Sequence, residues 1–323
     1  MHFYARALAC GLAVACALPA QAATRYATPS TLAFTLAQAQ PGDTVALAFG
    51  NYGDVVLPLR DNRVPITIEA SQATLRTLMI RGTAGWTWKG GKILTPLPPA
   101  AWRNVMVDNA RRIEVSGVTL SAGHTGVLVT RGSSDIVLRN NIATGLQSDG
   151  FNIATATRVM LTGNTCTSFN PIAPVFDAAG KMLKDGTHPD CIMMWSEKGQ
   201  PATSDITISY NRMSGKMQGI TTFWHPTLGR DKVYRVKAIG NIVDVTYWHG
   251  IMLNDTPGSE VRGNRVTSAA GARALNYPYS PIKTWLKANE AVACGNSVED
   301  YPTGEGTAAC TIGLSAGGTG VGG

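Results

Sequence analysis

One short segment of this chain concentrates side chains that can move protons. Residues 185–195 place His188 two positions before Asp190. Imidazole titrates near neutral pH, so His188 is a candidate general base, and Asp190 is suited to orient its ring. A second imidazole, His249, is the alternative base, and the phenol of Tyr247 or one of the histidines could protonate a leaving group. The predicted catalytic set is therefore His188, Asp190, His249 and Tyr247.

Side chains suited to bind a polar, ring-shaped ligand surround these residues in the sequence. Amides and cations can neutralise a carboxylate, and indoles offer flat apolar faces with a polar edge. The candidates for substrate binding are Asp149, Asn152, Trp195, Lys216, Gln218, Trp224, His225, Arg230 and Trp248. Asp149, Asp185 and Asp190 could together hold a calcium ion, but the spacing of a calcium-binding loop is absent, and bonds within the protein explain these carboxylates equally well.

A repeated phrase indicates how the fold positions these segments. Strand-forming residues, then a small or polar residue, precede each of a series of asparagines, which are Asn141, Asn164, Asn211, Asn241 and Asn264. Their intervals are 23, 47, 30 and 23 residues. Intervals near one value or its double are typical of a solenoid, and β-branched residues favour strands. We interpret the asparagines as scaffold: they tolerate left-handed backbone and can stack as an amide ladder.

A second strand follows each asparagine, and the residue at the bend before it forms a column along the solenoid. The column is Thr125, Asp149, Asp190, Gln218 and His249. Coils of a parallel β-helix stack about 4.8 Å apart, so residues distant in sequence become neighbours. We therefore expect Asp149, His188, Gln218 and His249 to share one lateral surface.

The ends and the insertions complete the predicted organisation. Residues 31–40 fit a short amphipathic helix with Ser30 as its N-cap, which would cover the open first coil, and residues 44–47 are expected to form the first strand. The period is broken by insertions, which often build a binding face, at 170–187, 225–233 and 277–290. We assign residues 1–22 to a signal peptide, 23–310 to the β-helix domain and 311–323 to a Gly-rich disordered tail.

The signal peptide predicts an exported protein. A basic start, an apolar run and the small residues around Ala22 are typical of a cleaved secretory signal, so the expected location is periplasmic or secreted. Four cysteines remain after cleavage, and an oxidising compartment favours disulfides. Proximity favours Cys166–Cys191 and Cys294–Cys310 among the three possible pairings. A zinc site is the weaker interpretation because the spacing of zinc ligands is absent.

The net charge indicates which kinds of partner the protein could bind. The net charge is +7 while only 15% of residues are charged, so a basic surface could attract an acidic polymer without being a polybasic tail. Alternatively, the positive net charge could contribute only to the solubility of the protein. The sequence contains no nucleic-acid-binding motif and no transmembrane candidate. We expect a monomer whose partner is an acidic polymer, with no certain cofactor other than a possible calcium ion.

These features resemble the pectate-lyase-like superfamily of right-handed parallel β-helices. The N-terminal helix followed by Pro41-Gly42-Asp43 and Gly50-Asn51-Tyr52 looks like the start of many bacterial members. His188-Pro189-Asp190 with Trp195, followed by Gln218-Gly219, is similar to a group of exported bacterial β-helix proteins with an HPD…W…QG pattern. The resemblance implies an all-β, single-stranded right-handed parallel β-helix. The superfamily includes polysaccharide lyases, inverting polygalacturonase-type hydrolases, uronan C5-epimerases and phage tailspikes.

The choice among these activities depends on which family positions are kept. Asp149 and Asp190 resemble two carboxylate positions of polygalacturonase-type hydrolases, but the double aspartate of that family is here Pro189-Asp190, and its later Gly-His-Gly is here Gln218-Gly219. We therefore expect a lyase that cleaves an acidic, uronic-acid-containing polysaccharide by β-elimination. The alternatives are an inverting hydrolase, a C5-epimerase, which shares the first proton abstraction, and a non-catalytic glycan-binding β-helix.

Overall fold

The computed structural model describes residues 22–96, 103–223, 225–269 and 284–310. Within these ranges the chain is a solenoid of parallel strands, and each coil passes through three sheets in turn. This confirms the predicted single-stranded parallel β-helix. The signal peptide apart from Ala22, the residue Trp224, positions 277–283 of the third insertion and the Gly-rich tail lie outside the described residues.

The first sheet has eleven strands and forms one long wall of the solenoid. Its strands are Thr24–Ala27, Thr44–Leu47, Asp61–Glu69, Ala84–Lys89, Arg111–Ser116, Ser134–Arg139, Thr157–Thr162, Ser204–Ser209, Tyr234–Ile239, Ser259–Arg262 and Ala291–Cys294. The register stacks equivalent side chains in the interior, and all are buried; these are Ile113, Ile136, Val159, Ile206 and Val236. β-Branched side chains suit such columns because they pack well on a pleated surface.

Two further sheets close each coil. The second sheet has ten short strands: Gly50–Asn51, Ala73–Leu75, Lys92–Leu94, Thr119–Ser121, Ile142–Thr144, Thr165–Thr167, Arg212–Gly215, Ile242–Val245, Arg265–Ser268 and Ser297–Val298. The third sheet contains Asp54–Val56, Thr77–Arg81, Arg103–Asp108, Thr125–Thr130, Phe151–Ala154, Asp190–Glu197, Gln218–Thr222, His249–Leu253 and Trp285–Ala288. All of these strands pair in parallel with the coil before or after, so the residues that begin the third-sheet strands lie above one another.

The N-terminal helix spans Leu32–Gln38, and its Leu32 and Leu36 are buried as predicted. Its N-cap is Thr31 rather than Ser30. The prediction that residues 44–47 form the first strand was wrong. An earlier strand, Thr24–Ala27, precedes the helix and pairs with Thr44–Leu47. The side chains of Thr24–Ala27 are largely exposed apart from Ala27, so that strand carries almost no apolar pattern.

The asparagines form the predicted amide ladder. From the second member onward, each Oδ1 accepts hydrogen bonds of 2.8 to 3.0 Å from the backbone N–H and the Nδ2 of the asparagine one coil earlier. The ladder runs from Asn141 to Asn296, which the sequence analysis missed although Gly295-Asn296 fits the phrase. The left-handed residue is the one before each ladder asparagine, for example Asn140 with φ 54° and Gly163 with φ 65°.

Replacing one ladder asparagine should destabilise the whole solenoid. Asn211→Ala removes the acceptor for two donors of Asn164 and the two donors that reach Leu161 and Asn241. We expect the free energy of unfolding, measured by urea denaturation, to fall by about 3 kcal/mol, because buried partners are left unsatisfied. Asn170→Ala, at an exposed position of the 170–187 insertion, serves as the control and should change the free energy by less than about 0.5 kcal/mol. Equal effects of the two substitutions would contradict the ladder's role.

Two of the insertions fold beside the third sheet. Residues 170–187 contain an antiparallel hairpin of Val175–Phe176 and Met182–Lys184. Residues 225–233, which we call the strap, contain a 3-10 turn at Pro226–Leu228 and the short strand Arg230–Asp231. That strand pairs antiparallel with Ser196–Glu197 at the end of a third-sheet strand.

The structure pairs the four cysteines as proximity in sequence suggested. Cys166 is bonded to Cys191, with Cα atoms 5.7 Å apart, and Cys294 is bonded to Cys310. The first disulfide joins a second-sheet strand to the strand that begins with Asp190, directly after the 170–187 insertion. Across the described ranges, no helix is long and apolar enough to cross a membrane.

Candidate active site

The polar column predicted from the sequence lies at the start of the third-sheet strands. Asp190 pairs with Gln218, and the same register continued by two residues aligns Asp149 with Asp190 and Gln218 with His249. Asp149, His188, Gln218 and His249 all line one groove of about 450 Å³. The expected lateral surface therefore exists.

A second column lines the same groove and was missed by the sequence analysis as a set. Its members are in register on four successive coils: Asn152, Met193, Thr221 and Met252. They lie three residues after the first column, on the same outward face. Each lies between two buried residues of its strand, for example Met193 between Ile192 and Met194, so alternation counted from the buried residues would have found them. Trp195, Arg230 and Trp248 complete the predicted residues that line the groove.

Three predicted residues lie away from the groove lining. Lys216 is exposed, and His225 is exposed on the strap, where its Nδ1 lies 2.9 Å from Thr227 Oγ1. Tyr247 is only 6% exposed, and burial raises the pKa of its phenol. We leave all three out of the proposed site. Trp224 lies outside the described residues.

Asp149 and Asp190 form a buried pair of carboxyl groups, 7% and 4% exposed. The backbone N–H of Asp190 donates to Asp149 Oδ1 at 3.2 Å, Asn152 Nδ2 donates to Asp149 Oδ2 at 3.0 Å, and Thr221 Oγ1 donates to Asp190 Oδ1 at 2.8 Å. Burial raises the pKa of Asp149 to about 6. Burial and then the charge of Asp149 raise the pKa of Asp190 well above its usual value. As pH rises, Asp149 therefore loses its proton first, and Asp190 keeps its proton to a higher pH.

His249 lies two coils from Asp190, on the other side of Gln218. Burial, then the charges of His188 and Lys287, lower the pKa of His249 to about 4. Its ring is packed 5.5 Å, centroid to centroid, from both Trp248 and Trp285. At neutral pH the imidazole is therefore uncharged and can accept a proton.

Gln218 sits between the acid pair and His249. Its side chain is 7% exposed, and its buried Oε1 has no hydrogen-bond partner among the described residues. Leaving a buried amide oxygen unsatisfied costs about 1–3 kcal/mol, so the amide is prepared for a ligand in the groove.

The predicted calcium site does not assemble. Asp185 is exposed on the loop, and its Oδ1 lies 3.2 Å from His188 Nε2 instead of joining Asp149 and Asp190. Across the described ranges, no group of three or more acidic, histidine or cysteine side chains could hold a metal ion. Calcium prefers six to eight oxygen ligands, whereas Asp149 and Asp190 already accept bonds from protein donors. We derive no step through a metal ion.

The raised pKa of Asp149 should make the free energy of unfolding depend on pH. The folded protein holds a proton on Asp149 that the unfolded chain releases, so stability falls as pH rises from about 4 through 6, and the cost is complete above that range. The amide of Asp149→Asn does not titrate, so the free energy of unfolding of this variant relative to the wild type should be about 2–3 kcal/mol higher at pH 8 than at pH 4. The lost hydrogen bond from Asn152 lowers its stability by the same amount at both pH values. Asp205→Asn should give no such gain, because Arg235 lowers the pKa of Asp205. Urea denaturation at both pH values tests this, and an equal change in stability between pH 4 and pH 8 in Asp149→Asn and the wild type would contradict it.

Comparison with known proteins identifies the fold. Residues 103–289 match the family model described as right handed beta helix region. No curated protein matches the sequence.

The fold is also similar to that of several solved structures. An alginate lyase from Paenibacillus sp. str. FPU-7 is 17% identical, over 84% of this chain and 99% of that chain, with a TM-score of 0.45. Pectate lyase Pel9A is 12% identical, over 90% and 82%, with a TM-score of 0.47. PfbA, a surface adhesin of Streptococcus pneumoniae, is 11% identical, over 83% and 79%, with a TM-score of 0.49. Likenesses this distant concern the fold alone.

Proposed function

The chain belongs to the family of right-handed β-helix proteins, and from that premise we propose that it is a polysaccharide lyase that cleaves an acidic, uronic-acid-containing polysaccharide by β-elimination. The observation that carries the proposal is the order of Asp190, Gln218 and His249 on successive coils of one groove. A protonated acid, an amide with an unpartnered oxygen and an uncharged imidazole meet there.

Elimination from a uronic acid requires these groups. The C5–H bond breaks and gives its proton to a base, a C4–C5 double bond forms, and the C4–O bond breaks as the leaving oxygen gains a proton. The negative charge that develops spreads onto the carboxylate, which must be neutralised. We assign the carboxylate to the Gln218 Nε2–H₂ group, which donates to it, and to the protonated Asp190. The unpartnered Gln218 Oε1 would accept a hydrogen bond from a sugar hydroxyl, and the C5 proton would pass to His249.

The sequence analysis favoured His188 as the base, with Asp190 orienting it. The contacts support an exchange of these roles. The carboxylate beside His188 is that of Asp185, at 3.2 Å, and His188 is 40% exposed at the rim of the groove. His249 is more buried, and its lowered pKa of about 4 leaves its ring nitrogen unprotonated at neutral pH and able to accept the proton. We assign His188 to protonate the leaving oxygen.

The proposal is tested with a panel of acidic polysaccharides, assayed for ultraviolet absorbance and reducing ends together. A lyase produces a conjugated double bond and a reducing end in equal number. Reducing ends without the absorbance would replace elimination by hydrolysis. A changed uronate composition without chain cleavage would indicate an epimerase, and retention of the polymer without any change would indicate a binding protein.

Inverting hydrolysis is the second candidate, and one observation favours it. Two carboxyl groups whose environments push their pKa values apart are typical of a general acid and a general base. Asp190 and Asp149 are such a pair, at the same groove.

We also propose an exported location, periplasmic or secreted. Both disulfides form in the structure, and disulfides persist in oxidising compartments. A polysaccharide substrate outside the cell fits the same location.

A further inference from the structure

The strap holds an arginine in the lining of the groove. Arg230–Asp231 adds an antiparallel strand to Ser196–Glu197, and Ser196 Oγ donates to the backbone oxygen of Lys232 at 2.7 Å. Because this backbone pairing fixes the Cα atom of Arg230, the side chain extends from a defined position beside the third sheet.

The guanidinium of Arg230 lies on the indole of Trp195. The Arg230 Cζ atom is 3.4 Å from the ring centroid, and the side chain is 28% exposed. Its carboxylate neighbour, Glu197, is 3.8 Å away, which is beyond hydrogen-bond length. A cation that is stacked, partly desolvated and only loosely paired can still donate hydrogen bonds in its plane to an anion.

The indole of Trp195 is itself held in place. Its Nε1–H donates to Asn152 Oδ1 at 2.8 Å, and Asn152 Nδ2 donates to Asp149 Oδ2 at 3.0 Å. An indole N–H can only donate, so this bond sets the orientation of the Asn152 amide. One face of the indole is covered by Arg230, which makes Trp195 a poor platform for a sugar ring on that face.

We infer that Trp195 is a positioning residue and that Arg230 forms an anion subsite, which binds the carboxylate of a second acidic sugar next to the sugar held at Gln218. This inference rests on the proposed function in one respect, the acidic polymer. It changes the predicted role of Trp195 from a stacking surface to a support for charge recognition. The groove would then select polymers in which neighbouring sugars both carry a charge.

Binding measurements test the subsite without relying on turnover. Oligouronates of defined length are titrated calorimetrically into a His249→Ala parent, which does not cleave them, and into the same parent with Arg230→Gln. We expect about tenfold weaker binding and a weaker dependence on salt in Arg230→Gln, because one charged contact is lost. The carboxyl-reduced, uncharged oligosaccharide should bind both proteins equally. Arg139→Gln, at an arginine paired with Glu114 on the first sheet, is the matched control and should change nothing.

Two substitutions at Trp195 separate positioning from stacking. Trp195→Phe keeps a ring under the guanidinium and should retain oligouronate binding within about threefold, whereas Trp195→Leu should weaken it as much as Arg230→Gln does. Glu197→Gln removes the competing carboxylate and should tighten binding. If Trp195→Leu weakens binding of the uncharged oligosaccharide equally, the indole is a stacking surface and the inference is wrong.

The remaining outcomes distinguish this inference from the proposed function. Equal oligouronate binding by the parent and Arg230→Gln overturns the subsite while leaving elimination untouched. Arginine-dependent binding by a wild-type protein that eliminates no polymer overturns the lyase proposal and leaves the subsite standing. A parent that binds no oligouronate overturns both.

Discussion

Replacing His249 by alanine should reduce the rate of double-bond formation about a thousandfold. General-base catalysis typically contributes between about a hundredfold and ten-thousandfold, and His249 is the uncharged imidazole beside Gln218 in the groove. The measurement is the initial rate of ultraviolet absorbance on the best polysaccharide of the panel. Because the pKa of His249 is lowered to about 4, it stays competent as a base well below the pH at which an ordinary histidine becomes protonated.

The controls separate chemistry from folding. His249→Gln retains a similar volume and should be as inactive as His249→Ala, with a thermal midpoint close to that of the wild type. His225→Ala, on the exposed strap and outside the groove lining, should keep activity within about twofold. Full activity of His249→Ala would remove His249 from the mechanism and return the base to His188.

Substitutions of Asp190 should distinguish elimination from hydrolysis. In elimination, as proposed, protonated Asp190 only donates a hydrogen bond to the substrate carboxylate. An amide can still donate, so Asp190→Asn should lose about tenfold in kcat/KM, and Asp190→Ala, which has no donor, about a hundredfold. In hydrolysis the acid must hand over its proton, and Asp190→Asn should then be as inactive as Asp190→Ala.

The comparison needs a structural control. Asp244→Asn alters a half-buried aspartate on the second sheet, bonded to Thr267, and should leave kcat/KM unchanged. Equal loss in the two Asp190 variants, together with loss in Asp149→Asn, would favour the inverting mechanism over elimination. If both Asp190 variants keep full activity, the acid pair takes no part in either reaction.

The spacing of the asparagines was enough to predict the stacking of the coils. Once one asparagine per coil is fixed in the ladder, the start of the following third-sheet strand is fixed as well wherever no insertion intervenes, because the connecting segment is then seven or eight residues long. This is why Asp149, Gln218 and His249 could be aligned from the sequence.

The predicted site residues that do not line the groove lie where the repeat of the coils is interrupted. Tyr247 and Lys216 occupy the bends before the third-sheet strands, where side chains do not alternate in and out as they do within a strand. Asp185 is five residues from Asp190 in the sequence, yet it belongs to an insertion that leaves the coil, so proximity in sequence did not bring it to the acid pair. The contact of Arg230 with Trp195 depends on how the strap pairs with a strand end, which no repeat encodes.

The most direct test is a crystal structure of the His249→Ala variant with a bound oligouronate. We expect electron density for the sugars along the third-sheet groove. One carboxylate should lie within hydrogen-bond distance of the Gln218 amide and Asp190, and the C5 hydrogen should point at position 249. An oligouronate bound on the first or second sheet, or in the groove with its carboxylate turned away from Gln218, would contradict the account.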